Sequence, residues 1–384
     1  MPFVFLPDVS PLNVHIYAED RQRFERRVNK DFDSTTNDNR SDLYSRFRVG
    51  ATFKYGKNWK GQVEYENASD VIWTAARNYS TWNSNLSLAY VETADNGWTV
   101  DLGRQRINVG SIRLICSCEW SNVTTTFDGL RLRSKDWDIF GGKIGMKSTP
   151  AWNARLAYAD HLSKTYGDTL YIFKHDDGID IHTFDHTFTR SFGPVAFEVE
   201  GALQTGHESG KTQRAWAFHA KAAYNDKSGL KPYIEVNSAS GGSSATENRT
   251  FDTNYGGAHG KYGIADMFCW KNMNQLGIGV DYTGIKNLCL HTSWNAYSLR
   301  DGRDAWYMSS GAAGASGSTK LQDPTGTSGR DLGQEINFDS TYCFSKCDSV
   351  QAGFAIFNPG KFVGNLTGHR DHEFWGYFQL NFKF

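Results

Sequence analysis

The sequence predicts an all-β fold, a transmembrane antiparallel β-barrel of about 18 strands. The first indication is the alternation in the last eleven residues, where Phe374, Phe378 and Leu380 share one strand face and Gln379 and Asn381 share the other. The second is the content of 12 Trp, 18 Tyr and 25 Phe, which can supply aromatic girdles at two membrane interfaces. The third is that no apolar run approaches the roughly 20 residues that a spanning helix needs.

Segments of about ten alternating residues, separated by turn-forming residues, define the individual strands. They are expected at 12–25, 41–56, 59–68, 82–94, 97–106, 125–135, 136–147, 152–160, 168–175, 180–190, 193–206, 214–225, 230–240, 273–284, 286–299, 330–344, 347–358 and 372–384. Because a closed sheet is one unit, residues 1–384 are expected to form a single barrel domain. The first residues lack a basic region followed by an apolar stretch, so we expect a form whose export signal has been removed.

The connections between strands alternate in length, as they do in barrels with short turns at one end and long loops at the other. Short connections lie at 56–58, 95–97, 190–193, 225–229, 283–285 and 345–346, whereas long ones lie at 26–40, 69–81, 107–124, 241–272, 300–329 and 359–371. An even strand number places both chain ends beside the short, periplasmic turns. Two connections do not fit, since 148–151 is short for a loop and 161–167 is long for a turn. The loops 241–272 and 300–329 are expected to fold over or into the outer mouth.

Strand periodicity also predicts which charged side chains face the lumen, because a Lys or Arg on the lipid face near the midplane costs about 2–4 kcal/mol. Arg46 and Arg48 alternate with Phe47 and Val49 and are therefore expected inside. The same argument places Arg131, Arg133 and Arg155 inside, and also acidic residues that include Glu200 and Glu335. The lumen is thus expected to be polar, with both signs of charge.

Three blocks of residues resemble the alginate-export family of outer-membrane porins. They include Gly103–Gly110 with Phe127–Leu132, then Gly263–Phe268, and finally Phe357–Gly360 with the closing strand. The resemblance implies an 18-stranded barrel in the bacterial outer membrane that serves as a passive conduit for an anionic polymer such as alginate or for small polar solutes. The chain departs from that pattern at Thr124–Thr126, where relatives often carry Arg, and in having six cysteines.

Inward arginines are the main candidate channel residues, because fixed guanidinium groups attract carboxylates and repel cations. The alternative is a ladder of Arg–Glu pairs that only satisfies the barrel wall. Because the arginines lie on neighbouring strands and many acids lie elsewhere, a transverse field across the lumen is expected. Asp128 and Asp266 are candidate loop anchors, with contact to cargo as the alternative. The candidate pore-lining residues are Arg46, Arg48, Arg104, Arg106, Arg113, Arg131, Arg133, Arg155, Glu200 and Glu335.

The six cysteines divide between the two ends of the predicted barrel, which limits how they can pair. Cys343 and Cys347 across a short turn are the first candidate disulfide, and Cys289 with Cys343 is its rival. At the loop end, either Cys116 or Cys118 is a candidate partner for Cys269.

The function that these features favour is that of a monomeric outer-membrane porin in contact with outer-membrane lipid, which passes anionic or polar solutes. An alternative is a barrel plugged by its loops that acts as a surface scaffold or binding protein. A barrel enzyme is a third class, but the sequence offers no nucleophile with an adjacent base. The balance of 41 Lys and Arg against 42 Asp and Glu disfavours a nucleic-acid binder. The His residues show no zinc spacing, so neither a metal nor a cofactor is expected.

Overall fold

The fold is an antiparallel β-barrel, described by a computed structural model for residues 12–74, 76–146 and 154–384. Eighteen long strands form the barrel wall. They are β1 (Asn13–Val28), β2 (Arg40–Tyr55), β3 (Trp59–Thr74), β4 (Asn78–Asp95), β5 (Trp98–Gln105), β6 (Thr126–Arg133), β7 (Trp137–Met146), β8 (Arg155–His161), β9 (Asp168–Asp176), β10 (Ile179–Phe192), β11 (Val195–Glu208), β12 (Lys211–Tyr224), β13 (Leu230–Ala239), β15 (Met273–Ile285), β16 (Leu288–Leu299), β19 (Asp331–Cys343), β20 (Ser349–Pro359) and β21 (Glu373–Lys383).

Four smaller elements lie in the loops. They are the two-residue strands β14 (Glu247–Asn248), β17 (Ala315–Ser316) and β18 (Thr319–Lys320), and the helix α1 (Lys361–Thr367). No helix in the described parts of the chain is long and apolar enough to cross a membrane.

The barrel closes by antiparallel pairing of β1 with β21, from Glu19 opposite Lys383 to Val28 opposite Phe374. Each predicted strand overlaps one of the eighteen observed strands, so the predicted fold class and strand number are confirmed. The start of β1 and the end of β21 lie at the same end of the barrel, since the backbone of Ala18 exchanges hydrogen bonds of 2.9 and 3.1 Å with Phe384. This end, which carries most of the short turns, is called the turn end, and the opposite one the loop end.

The lengths of the connections largely follow the prediction, with one correction. The expected long loop at 69–81 is a tight hairpin, because β3 continues to Thr74 and β4 starts at Asn78. Alternation continues through Val71 and Trp73, so the pairing of β3 with β4 extends beyond the boundary inferred from the sequence. The irregular connection at 148–151 lies outside the described residues. The other irregular one, between His161 and Asp168, is a six-residue turn.

The outward face of most strands is apolar, which suits contact with lipid. In β21, Phe374 and Phe378 are exposed outside whereas Trp375 is buried inside, as predicted. In β8 the expected orientation is wrong. Leu156 and Tyr158 are buried on the lumen side, so Arg155 points outward. The physical reason is that the lumen here is filled by apolar loop residues, which make an inward Leu and Tyr favourable.

Aromatic side chains from the loops pack together inside the lumen at the loop end. Phe268 and Trp306, from the two longest loops, stack with ring centroids 5.1 Å apart. Phe268 also stacks on Tyr297 of β16 at 3.7 Å, and Phe32 stacks on Trp306 at 5.9 Å. We call these four residues the aromatic plug. The prediction that both loops fold into the mouth is therefore confirmed by their packing against the inner wall.

Candidate functional site

A loop between β5 and β6, residues 106–125, crosses the interior of the barrel and is called the crossing loop. Arginines of β1 and β2 bind the backbone of its segment 119–122. Arg21 donates to the carbonyl oxygens of Glu119 at 2.7 Å and Ser121 at 3.1 Å. Arg46 donates to the same two carbonyls at 3.0 and 3.2 Å. Arg23 donates to the carbonyl of Trp120 at 2.7 Å, with its guanidinium 3.9 Å from the Trp120 ring centroid. These arginines act as a clamp on the crossing loop.

Carboxylates surround the clamp and neutralise much of its charge. Arg48 donates from Nε to Glu66 at 2.8 Å, and Arg106 forms an ion pair with Glu64. The side chain of Glu119 accepts from Arg48 at 2.9 Å and from Arg106 at 3.2 Å. The Arg46 and Arg48 side chains are only 4% and 2% exposed, whereas that of Glu119 is 46% exposed. The most accessible charged group of this cluster is therefore the carboxylate of Glu119, which lies in the crossing loop.

The ionisation of Glu119 is fixed by its neighbours. Burial would raise the pKa of Glu119, but the guanidinium groups of Arg48, Arg46 and Arg106 lower it to about 2. Because this pKa lies below that of an unfolded Glu, the stabilisation from these ion pairs is present above about pH 4.5 and is lost as the pH falls through about 2. Glu119 thus stays ionised at any pH near neutrality.

Replacement of Glu119 by Gln is expected to make the lumen more attractive to anions. The carbonyl oxygens bound by Arg21 and Arg46 remain, so the clamp persists while one negative charge disappears. At roughly 0.4–1 kcal/mol for a water-accessible charge, the anion-to-cation permeability ratio should rise about two- to fivefold. Reversal potential under a salt gradient measures this ratio. Glu247→Gln, in an outer loop, is the control, and an equal shift in both variants would contradict the assignment.

The middle of the crossing loop is bound to the opposite side of the barrel. Arg113 donates to Glu198 at 3.2 Å and to Glu200 at 3.4 Å, and it contacts a ring nitrogen of His219 at 3.1 Å. Ser111 donates to Glu200 at 2.8 Å. The crossing loop therefore bridges β1–β2 and β11–β12 across the lumen. Arg113 and Glu200 are buried in this attachment and hold the loop in place.

Two further candidate arginines line the lumen near the turn end. Arg131 donates to Asp138 at 2.8 Å, and Arg133 donates to Asp101 at 2.9 Å and to Glu92 at 3.0 Å. The side chain of Arg133 is 38% exposed, compared with 3% for Asp101 and 14% for Glu92. At the turn-end mouth, the guanidinium of Arg133 is more exposed than the carboxylates that it contacts. At the clamp the opposite holds, because the carboxylate of Glu119 is more exposed than the arginines that it contacts.

Arg104 and Asp128 do not have the roles predicted for them. Arg104 lies two residues after Leu102 and Asp128 two residues before Leu130, and both leucines are exposed on the outward face. The two side chains form a bidentate pair there, at 2.6 and 2.8 Å. Asp128 thus holds Arg104 and not a loop. The lipid-face penalty falls to about 0–1 kcal/mol near the interfaces, which allows this pair at the loop end of the strands.

Glu335 and Asp266 hold the loop between β13 and β15. Glu335 faces inward from β19 and is fully buried, and it accepts a hydrogen bond from the Ile264 backbone nitrogen at 2.9 Å. Asp266 contacts His259 at 3.1 Å. Burial would raise the pKa of Asp266, but His259 and the nearby guanidinium groups of Arg27 and Arg23 lower it. Glu335 is therefore covered by the loop and is not an open pore wall.

The expected disulfides are absent from the structure. Cys289 lies opposite Thr341, two residues out of register with Cys343, and Cys269 is buried with its sulfur 3.9 Å from the Tyr307 carbonyl. The backbone nitrogen of Cys118 donates to the Cys116 sulfur at 2.8 Å. Within the described residues, no three His, Cys, Asp or Glu are grouped so that they could hold a metal ion. The free thiols are Cys116, Cys269, Cys289, Cys343 and Cys347.

Sequence reasoning missed three residues of the site. Arg21 and Arg23 alternate with Asp20 and Gln22 in β1, and the period-2 argument used for Arg46 and Arg48 applies to them as well. Glu119 carries no such signal. Its contacts with Arg46 and Arg48 join residues 71–73 positions apart in the chain and depend on how the crossing loop folds.

A known protein family matches this chain over most of its length. The sequence profile of a family described as alginate export matches residues 13–143 and 156–377. The chain belongs to the alginate export family. This membership confirms the resemblance found in the sequence, locates the barrel in the bacterial outer membrane and supports a channel function. No curated protein matches the chain.

Solved structures similar to this member of the alginate export family are outer-membrane barrels of Pseudomonas aeruginosa. OpdQ superimposes with a TM-score of 0.65 at 13% identity, covering 97% of this chain and 99% of that one. OpdK gives 0.65 at 10% identity, with 97% and 98% covered. The outer membrane protein OprD gives 0.63 at 12% identity, with 97% and 93% covered. At these identities the likeness concerns the fold.

Proposed function

We propose that this chain is a monomeric, single-domain channel without enzymatic activity that passes polar solutes through the outer membrane, with a preference for anions. The observation that carries the proposal is the crossing loop, bound on both sides of the lumen. A crossing loop held in this way narrows the passage through the lumen. Solutes then pass charged side chains at short range, where local potential matters more than the net charge of −1.

The preference for anions is supported by the wall at the turn end. Arg131 and Arg133 face the lumen there, and Arg133 is more exposed than the carboxylates that it contacts. The buried clamp contributes less, because Glu119 is its most accessible charged group. Since the family is one of alginate export, an anionic polysaccharide such as alginate is a candidate cargo.

Replacement of Arg131 and Arg133 by Ala is expected to reduce the anion-to-cation permeability ratio about two- to fivefold, from the loss of roughly 0.4–1 kcal/mol of attraction. The reversal potential of the purified protein in a planar bilayer under a salt gradient measures it. Arg104→Ala with Arg155→Ala is the matched control, because it removes the same charge from the outward face. A cation-selective wild type, or a ratio that the lumen pair leaves unchanged, would contradict the preference for anions.

A loop-plugged barrel that serves as a surface scaffold is the second candidate, favoured by the aromatic plug. Single-channel recording separates the two functions, because a sealed barrel passes no current in either direction. Steps of current from the wild type support the channel, and a barrel that inserts without conducting supports the scaffold.

A further inference from the structure

A row of charged side chains crosses the outward face of β5–β10 at the loop end of the barrel. Four of its residues pair with each other, since Arg104 donates to Asp128 at 2.6 Å and His175 contacts Asp180 at 2.6 Å. Two basic residues lie between these pairs. In register, the row contains Arg104, Asp128, Lys143, Arg155, His175 and Asp180.

Lys143 and Arg155 are directly opposite each other on β7 and β8, and both side chains are exposed. Like charges directly opposite in a sheet destabilise it unless something compensates them. Among the described residues neither side chain forms an ion pair with a carboxylate, and the sequence of segment 147–153 contains no Asp or Glu. The pair therefore has two cationic groups available for an anion from outside the chain.

The surface next to this pair is shaped like a shallow groove. Gly141 and Ala157 form the next register row toward the turn end, and Ala159 continues the groove along β8. A side chain at Gly141 would meet no atom within 4 Å. Larger residues form the two walls, namely Leu130 and Leu132 on β6 and Phe173 and Tyr171 on β9.

The position of the row along the barrel suits the edge of a membrane. His175 and Asp180 form the second pair from the hairpin tip at Asp177 and Gly178. At the other end of the same face, Trp137 contacts His161 with ring centroids 4.8 Å apart, as an interfacial aromatic would. The small apolar rows lie between these two limits, at the depth of acyl chains.

We propose that Lys143 and Arg155 bind the phosphate group of a phosphorylated lipid in the leaflet at the loop end, with an acyl chain lying in the groove over Gly141 and Ala157. Arg and Lys are the side chains that bind phosphate, Arg in a bidentate manner. Basic residues at a membrane edge with an apolar surface below them match both parts of such a lipid. The proposal depends on the membrane location of the barrel and not on what passes through the lumen.

The test measures lipid binding to the full chain in detergent micelles by native mass spectrometry. The probe is a bisphosphorylated lipid A, compared with the same lipid after dephosphorylation and with inorganic phosphate. We expect the wild type to prefer the phosphorylated lipid, and Lys143→Gln with Arg155→Gln to weaken its binding about tenfold or more. Inorganic phosphate alone should bind weakly, since it lacks the acyl chains.

The matched control is Arg214→Gln with Arg300→Gln, which removes two charges that are exposed at the same end of the barrel. Arg214 has Glu247 at 3.6 Å and Arg300 lies over the Trp216 ring, so each of these arginines already has a partner within the protein.

Equal losses of lipid binding in both double variants would overturn the proposal, as would equal affinity of the wild type for the dephosphorylated lipid. A wild-type dimer that the variant converts to a monomer would overturn it as well. The single variants are measured in parallel, and unchanged binding in both also overturns it, even if the double variant does not fold.

Discussion

Replacing Arg21 and Arg46 by Ala is expected to release the crossing loop and raise the single-channel conductance, with larger fluctuations in current. The two guanidinium groups donate to the carbonyl oxygens of Glu119 and Ser121 and are nearly fully buried. Their loss leaves buried acceptors without donors, at about 1–3 kcal/mol each. It also removes one cationic partner of Glu19, which keeps Arg48 at 3.4 Å.

Planar-bilayer recording measures the conductance, and limited proteolysis of the same sample reports on the loop. Cleavage within 106–125 should appear in the variant, while the barrel remains resistant. The control is Arg131→Ala with Arg133→Ala, which removes the same charge from the inner wall without touching the crossing loop. If both variants conduct alike and the loop stays protected, the clamp does not determine the width of the passage.

The strands of this barrel could be predicted from the sequence because their constraint is local. Each strand must present apolar residues to lipid at every second position, as Phe374 and Phe378 do in β21. Alternation at every second residue identifies a strand even when its ends are predicted inexactly. The predicted number of strands is therefore correct although β3 and β4 extend beyond their predicted limits. Turn residues between strands supply an independent signal at the same local range.

The assignment of faces failed where the lumen itself is apolar. Leu156 and Tyr158 of β8 were expected to face lipid, but they pack inside next to Phe140 and other residues of the loop-filled lumen. Hydrophobicity alone does not distinguish lipid from a buried plug. The charge of Arg104 predicts an inward side chain, whereas its position at the edge of the membrane and its pairing with Asp128 make the outward face acceptable.

Only part of the candidate site can be predicted from the sequence, because contacts between the loops and the barrel wall join residues that are far apart in the chain. The inward direction of Arg46 and Arg48 followed from their strand. Their partners did not, since the contact of Arg46 with Glu119 spans 73 positions. As a result, the arginines alone predict a positive clamp, while its most accessible charge is the carboxylate of Glu119.

The aromatic plug has a different role from the clamp, and the two should be separable by mutation. Replacement of Phe268 and Trp306 by Ala is expected to detach the loops 240–272 and 300–330 from the inner wall and open the loop-end mouth. Phe268 stacks on Tyr297, and Trp306 stacks on Phe32 while its indole nitrogen donates to the Met267 carbonyl at 2.8 Å. Each truncation of such a buried aromatic costs about 3–5 kcal/mol.

The loops should lose most of that stability, because the strand ladder of the wall does not include either residue. We therefore expect protease cleavage within 300–330, a higher conductance and a barrel that still resists unfolding by detergent. Phe354→Ala with Phe374→Ala is the matched control, since these rings stack 6.4 Å apart on the outward face. That control removes two aromatic side chains without reaching the lumen, so its conductance should match the wild type. Protected loops and an unchanged conductance in the Phe268 and Trp306 variant would mean that other contacts, such as those of Glu335, hold the loops in the mouth.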